Sequence, residues 1–127
     1  MVRVDAWNRA TRIQDAAKWS LDFFNKASVE LASAPSNGAE VYMAEAGWPT
    51  NSLSPLVNPS AASVENLQIF INSFVCTANT QGIKYFFSDY MDNPWRERRY
   101  SAVAESWGLF NSDRTLKAIT LPDCAHV

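Results

Sequence analysis

Residues 44–50 read AEAGWPT, one carboxylate set against a glycine, a tryptophan and a proline, directly after the apolar run EVYM. Two more carboxylates, Asp89 and Asp92, follow a second apolar run, IKYFFS at 83–88, and lead into NPWRERRY. Carboxylates at strand ends beside tryptophans suit a carbohydrate site. One carboxyl serves as nucleophile and another as acid at a glycosidic bond, while an indole stacks on the apolar face of a sugar ring. Each element also has a plainer reading. A strand-end glutamate such as Glu45 is often solvated or salt-bridged, and Trp48 and Trp95 fit core packing equally well.

The surrounding pattern supplies elements to hold these groups. From Gln14 to Leu31 the apolar residues Ala16, Trp19, Phe23, Ala27 and Leu31 recur at three and four, which predicts an amphipathic helix with that stripe inward. APSNGA at 34–39 breaks it. EVYMAE at 40–45 is short and apolar on both faces, the pattern of a strand buried on both sides. A Pro- and Ser-rich loop at 48–63 precedes a second helix over Val64 to Asn79, with Ser63 as N-cap and Val64, Leu67, Ile71, Phe74, Val75 and Ala78 on its inner face. After TQG, residues 83–88 form another buried strand. Helix, strand, helix, strand is the alternation of a parallel α/β sheet, whose ligands bind beyond the carboxyl ends of the strands. Glu45, Asp89 and Asp92 all fall there.

Composition narrows the function. The 127 residues are 47% apolar and 13% aromatic, enough for one domain with a core. A net charge of −2 with no basic stripe argues against nucleic acid. No run approaches the roughly 20 apolar residues of a membrane helix, and MVRVDAWNRATR contains no apolar stretch of a signal peptide. The only histidine, His126, lies in the tail and gives no metal or triad site; no phosphate loop and no cofactor motif is present. RERR at 96–99 reads as a solvated loop run, and no sequon for N-glycosylation occurs. The two cysteines, Cys76 and Cys124, fit neither a CxxC pair nor a zinc cluster. Bonded, they would close a loop of about 49 residues and constrain the unfolded chain by roughly 4 kcal/mol. Unbonded, Cys76 would be a core residue and Cys124 a free tail thiol. A tail cysteine has little other use, which favours the bond and an oxidising compartment.

VYMAEAGWPT resembles the strand 7 motif of glycoside hydrolase family 17, the endo-1,3-β-glucanases, in which an E-x-G-W-P segment bears the catalytic nucleophile. LQIFINSFVCTAN, GIKYFF, DNPWRE, WGLFNSDRTLK and LPDC resemble the C-terminal part of fungal members in the same order, so the likeness runs from about residue 13 to 124. The resemblance implies the C-terminal part of a (β/α)8 barrel, about strands 6 to 8 with their helices, as one partial catalytic domain over 1–127 with an atypical stretch at 1–12. It implies a retaining mechanism on β-1,3-glucan, an extracellular or cell-wall location, and a Cys76–Cys124 disulfide. Glu45 is then the nucleophile, and Trp48, Asp89, Asp92, Trp95, Arg96 and Glu105 line the substrate cleft.

Departures from the family pattern are specific. The family's general acid is the Glu of an Asn-Glu pair on strand 4, and none of the six glutamates here follows an asparagine. Where relatives carry F-E-x-F-D-E-P-W, this chain has SDYMDNPW, so Asp89 shortens one carboxylate arm and Asn93 removes another. Ala104 takes the register of a family glutamate and Glu105 sits one later; DAWN at 5–8 replaces the usual H-P-F/Y segment. Three readings follow: part of a β-1,3-glucanase that carries the nucleophile without the acid, a non-cleaving β-glucan binder, or a structural remnant. Hydrolase and glucanosyltransferase chemistry share the nucleophile, and the residues do not separate them. With strands 6 and 8 open at the edges, self-association is also expected.

Overall fold

The computed structural model describes residues 1–32, 38–51, 62–96 and 106–126. Three parallel strands, β1 (Val2–Arg3), β2 (Met43–Ala46) and β3 (Tyr85–Phe87), form one sheet in the order β1-β2-β3. Helices α1 (Ile13–Ala32) and α2 (Val64–Thr80) connect them, so the α/β alternation read from the sequence is present and the strand bearing Glu45 is in the middle. Val2 pairs with Met43 and Arg3 with Ala44; Met43 pairs with Tyr85 and Ala46 with Phe87, with a register shift between the last two pairs. The strands are shorter than the apolar runs around them. No helix among the described residues is long and apolar enough to cross a membrane.

The core gathers Met43 and Ala46 of the sheet with Leu67, Phe70, Ile71 and Phe74 of α2 and the inner face of α1. Phe70 and Phe74 stack at 5.1 Å, and Phe74 meets the Tyr85 ring edge-on at 5.0 Å, so aromatic packing joins α2 to β3. Ser63 caps α2 as the sequence indicates, its hydroxyl accepting from the Asn66 N–H at 3.1 Å. Gly82, at φ +66°, ends the helix with its N–H on the Asn79 carbonyl.

Two sequence expectations are corrected. The inward stripe of α1 is not Ala16, Trp19, Phe23, Ala27 and Leu31; the buried residues are Ile13, Ala16, Ala17, Ser20, Leu21 and Phe24. Small side chains at 16, 17 and 20 let α1 approach closely, and the Ser20 hydroxyl is satisfied by donating to the Ala16 carbonyl at 2.8 Å. The larger Trp19 and Phe23 stack on each other at the helix flank, 5.1 Å between ring centres. Nor are the strands buried on both sides. Phe86 is 55% exposed on β3, because among the described residues the helices cover one face only, and Glu45 is exposed where β2 turns at its carboxyl end.

Cys76 and Cys124 are joined by a disulfide, 48 residues apart in sequence. The tail is held further by reciprocal bonds: the Gln68 amide donates to the Thr120 carbonyl at 2.9 Å and accepts from its N–H at 2.6 Å. Cys76 lies nine residues, half a rotation, from Leu67 on α2, so its burial reflects this tail rather than the sheet. The APSNGA break and the 48–63 loop fall largely outside the described residues, as does most of RERR.

The shifted α1 face makes a prediction measurable by urea unfolding. Leu21→Ala, inside the core, is expected to cost about 2–5 kcal/mol. Leu31→Ala, on the stripe read from sequence, is expected to cost less than about 1 kcal/mol. Equal losses would overturn the assignment of the buried face.

Candidate active site

At the carboxyl end of β2 the backbone turns at Glu45, whose φ of +61° lies in the left-handed region that residues with a Cβ seldom occupy. The turn leaves the carboxylate exposed beyond the strand, where Arg3 of β1 reaches it with Nε 2.6 Å from Oε2. The same guanidinium lies 3.8 Å from Asp5, which also accepts from the Asn8 backbone N–H at 3.1 Å. Arg3 therefore bridges carboxylates on neighbouring strand ends and orients one oxygen of Glu45. Sequence reasoning missed Arg3, since a single arginine two residues before an aspartate carries no signal.

The chain after Glu45 is held by backbone contact. Gly47 admits no side chain, because a Cβ there would lie 2.2 Å from the Ser88 carbonyl oxygen. Ser88 in turn donates its N–H to the Ala46 carbonyl at 2.8 Å, and the following Ser88–Asp89 peptide is cis. Trp48 then goes into the core, stacked over Phe70 at 6.3 Å and with no surface open to solvent. The rim role expected of Trp48 is thus replaced by packing, which anchors the turn that carries Glu45.

Behind this turn sits Lys117, whose side chain is only 4% exposed. Its ammonium donates to Asp92 Oδ1 at 2.7 Å and Thr50 Oγ1 at 2.9 Å, with the Ser106 carbonyl 3.4 Å away. Asp92 Oδ1 also accepts from the Gly108 N–H at 2.9 Å. At Gly108 a Cβ would come within 2.3 Å of the Met91–Asp92 backbone, so only glycine permits this approach. Asp92, expected to face substrate, instead neutralises a buried cation and ties the loop after β3 to the C-terminal segment. Lys117 was invisible in sequence because its partners lie 25 and 67 residues away.

The remaining expected residues divide. Asp89 is half-buried beyond β3 and accepts from the Ser88 hydroxyl at 2.9 Å, while its backbone pairs with Trp107 and Leu109. Trp95, on a single 3-10 turn at Pro94–Arg96, is 58% exposed and presents a ring on the same loop. Tyr90, not singled out in the sequence, is also exposed and rests on Phe110 with ring centres 4.8 Å apart. Asn93 turns its amide to the Met91 carbonyl at 3.0 Å. Glu105 and the Arg96 side chain lie outside what the structure describes. Trp7, from the DAWN stretch, meets Trp107 edge-on at 6.4 Å, so this replacement segment packs against the C-terminal part.

Titration is perturbed elsewhere. Glu40 accepts from Lys84 at 2.5 Å and from the Tyr42 hydroxyl at 3.0 Å, at the amino ends of the strands. The Lys84 hydrogen bond, then that of Tyr42, holds the Glu40 carboxyl below its usual range, and the same bond raises Lys84. That pair faces away from Glu45. Among the described residues, no three His, Cys, Asp or Glu converge to hold a metal ion. Chemically, the carboxyl end offers an exposed, oriented carboxylate and exposed aromatic rings.

No protein-family model matches the chain. It is 30% identical to btgC of Aspergillus niger over 88% of its own length, and 26% identical to the glucan endo-1,3-beta-glucosidase btgC of Emericella nidulans over 98%. The chain spans about a fifth of these relatives, 18% and 21% of their lengths. Among solved structures, it matches the glycoside hydrolase family 17 beta-1,3-glucanosyltransferase of Rhizomucor miehei at a TM-score of 0.75 and 27% identity, covering 94% of this chain and 41% of that one. An active-site mutant of the same enzyme in complex with laminaritriose matches at 0.71 and 26% identity, over the same shares of the two chains.

Lys117→Met takes the cation from Asp92 and leaves the Gly108 N–H on its Oδ1, and is expected to lower stability by about 3 kcal/mol. Adding Asp92→Leu should restore part of that loss. Denaturant unfolding of the single and double variants checks this, and a double variant less stable than the single by the full cost of Asp92→Leu alone would refute coupling.

Proposed function

We propose that this chain is the nucleophile-bearing part of a retaining β-1,3-glucan-active enzyme of glycoside hydrolase family 17, an incomplete (β/α)8 barrel with Glu45 as nucleophile. The observation that carries the reading is Glu45 itself: an exposed carboxylate at the carboxyl end of the middle strand, oriented by Arg3 at 2.6 Å. Active sites of (β/α)8 barrels lie at that end. The likeness to relatives named glucan endo-1,3-beta-glucosidase and to a family 17 glucanosyltransferase supports it.

In this reading a Glu45 carboxylate oxygen attacks the anomeric carbon, the glycosidic C–O bond breaks, and a covalent glycosyl-enzyme forms. The departing oxygen takes a proton from a second carboxyl, which must lie about 5–5.5 Å from the nucleophile. That acid is not supplied by this chain, so the chain alone does not cleave glucan. Water as acceptor makes the complete enzyme a hydrolase, and a glucan hydroxyl makes it a glucanosyltransferase. An extracellular or cell-wall setting is part of the same proposal and agrees with the Cys76–Cys124 disulfide. Trp95 and Asp89 are assigned to the substrate side of the loop after β3, and Arg96 and Glu105 are assigned to substrate binding by the family resemblance.

A non-cleaving β-glucan binder is the second reading, favoured by Asp92 and Trp48 being engaged in the structure's own support. A substrate whose leaving group needs no proton separates the two. With β-laminaribiosyl fluoride, attack by Glu45 breaks the C–F bond and fluoride departs with the electron pair. The oxidised chain is expected to release fluoride at least tenfold faster than Glu45→Gln, to carry a laminaribiosyl adduct on Glu45 by mass spectrometry, and to release no reducing sugar from laminarin. Binding of laminarin with no Glu45-dependent fluoride release would sink the nucleophile assignment.

A further inference from the structure

Arg3 spends one donor on Glu45 and holds the rest of its guanidinium beside that carboxylate. Val4 and Ala6 are each 2% exposed and packed in the core, so by strand alternation Arg3 and Asp5 stand on the opposite side, the face that the helices leave open. A guanidinium carries five N–H donors in a rigid planar fork. Nε lies 2.6 Å from Glu45 Oε2, whereas Nη2 lies 3.8 Å from Asp5 Oδ2, an ion-pair separation too long for a hydrogen bond. Asp5 is committed to its own turn, Oδ1 accepting from the Asn8 backbone N–H at 3.1 Å and Oδ2 from the Asn8 side-chain amide. Its charge draws the guanidinium over without using up the fork. Among the described residues the Nη donors therefore meet no hydrogen-bond acceptor, and the side chain that carries them is 70% exposed.

Those donors stand where a sugar reacting at Glu45 would place a hydroxyl. Arg3 holds Oε2, which leaves Oε1 to attack. As Oε1 approaches the anomeric carbon, the hydroxyl on the adjoining ring carbon, C2, comes beside Oε2 and the guanidinium. A hydroxyl both donates and accepts. By donating to Oε2 and accepting from an Nη N–H it closes one ring of hydrogen bonds through Arg3, Glu45 and the sugar. Hydrogen bonds to the 2-hydroxyl strengthen in the transition state of glycoside cleavage, and those with an ionised partner are the stronger kind.

We propose that Arg3 is a substrate-binding residue of the reaction at Glu45, its free Nη donors taking the 2-hydroxyl of the glucosyl unit under attack. The site then selects a sugar whose 2-hydroxyl is present and unsubstituted. This rests on the functional reading above in one respect, that Glu45 attacks the anomeric carbon. The step balances without Arg3 or the 2-hydroxyl giving up a proton: the Oε1–C1 bond forms, the bond from C1 to the leaving group breaks, and the leaving group departs with the electron pair. Arg3 thus acts twice, holding one oxygen of the nucleophile and one hydroxyl of its target in the same plane. A guanidinium suits that double task because its fork is rigid, whereas an ammonium presents a single point of charge.

Two substrates that differ at C2 separate contact with the sugar from orientation of Glu45. They are β-laminaribiosyl fluoride and its 2-deoxy-2-fluoro analogue, in which fluorine replaces the 2-hydroxyl of the attacked unit and cannot donate to Oε2. With the oxidised full chain, Arg3→Met is expected to lower kcat/KM for fluoride release from the first by roughly tenfold or more, the worth of a charge-assisted hydrogen bond, and to slow adduct formation on Glu45 from the second by less than about twofold. Arg3→Lys keeps the cation without the fork and is expected to follow Arg3→Met on the first substrate. Circular dichroism and the urea midpoint of each variant show that folded chains are being compared. An equal loss on both substrates makes Arg3 an orienting group alone and overturns the proposal, while Glu45-dependent fluoride release leaves the functional reading standing. Full activity of either variant on the first substrate overturns the proposal in the same way. If the unsubstituted chain shows no Glu45-dependent release from either fluoride, the functional reading falls and the proposal falls with it.

Discussion

A single buried ammonium organises the carboxyl end of this sheet. Lys117 Nζ lies between Asp92, Thr50 and Ser106, so one charge joins the loop after β2, the loop after β3 and the C-terminal segment. A cation this buried is tolerable only if its donors are spent on good acceptors, and that requirement fixes where the three segments meet. Gly47 and Gly108 make the meeting sterically feasible, since each faces a backbone with no room for a Cβ. Glu45 stands two residues before the first of these contacts.

Support and chemistry are thus divided among residues that look alike in sequence. Of two tryptophans next to carboxylates, Trp48 is locked against Phe70 and Trp95 projects from a 3-10 turn. Of two aspartates after β3, Asp92 is consumed by Lys117 and Asp89 sits at the edge of the same loop. Glu45 has its backbone at φ +61° just before the buried Gly47–Trp48 segment, and its carboxylate is paired with the exposed Arg3.

The sheet's lopsided cover explains the corrections. Strand runs apolar on both faces led to the expectation of burial on both, yet among the described residues α1 and α2 occupy one face and leave Phe86 open on β3. In α1 the apolar residues nearly encircle the helix, so periodicity admits two stripes a fraction of a turn apart. Close packing selects the stripe with alanines and serine at its centre, because small residues let helix and sheet approach, and the large rings are left to the flank.

Local periodicity, turn residues and a contiguous motif were enough to read the parallel α/β alternation, the extent of both helices to within a residue or two, the Ser63 cap and the prominence of Glu45. The disulfide was legible through family resemblance, with residue pattern alone leaving two options. Three-dimensional packing was needed to see that Trp48 is core, that Asp92 pairs with Lys117, that Arg3 orients Glu45 and that α1 buries its small-residue face. Each of those outcomes turns on partners distant in the chain, or on which side of an element is covered, and a one-dimensional pattern contains neither the distance nor the cover.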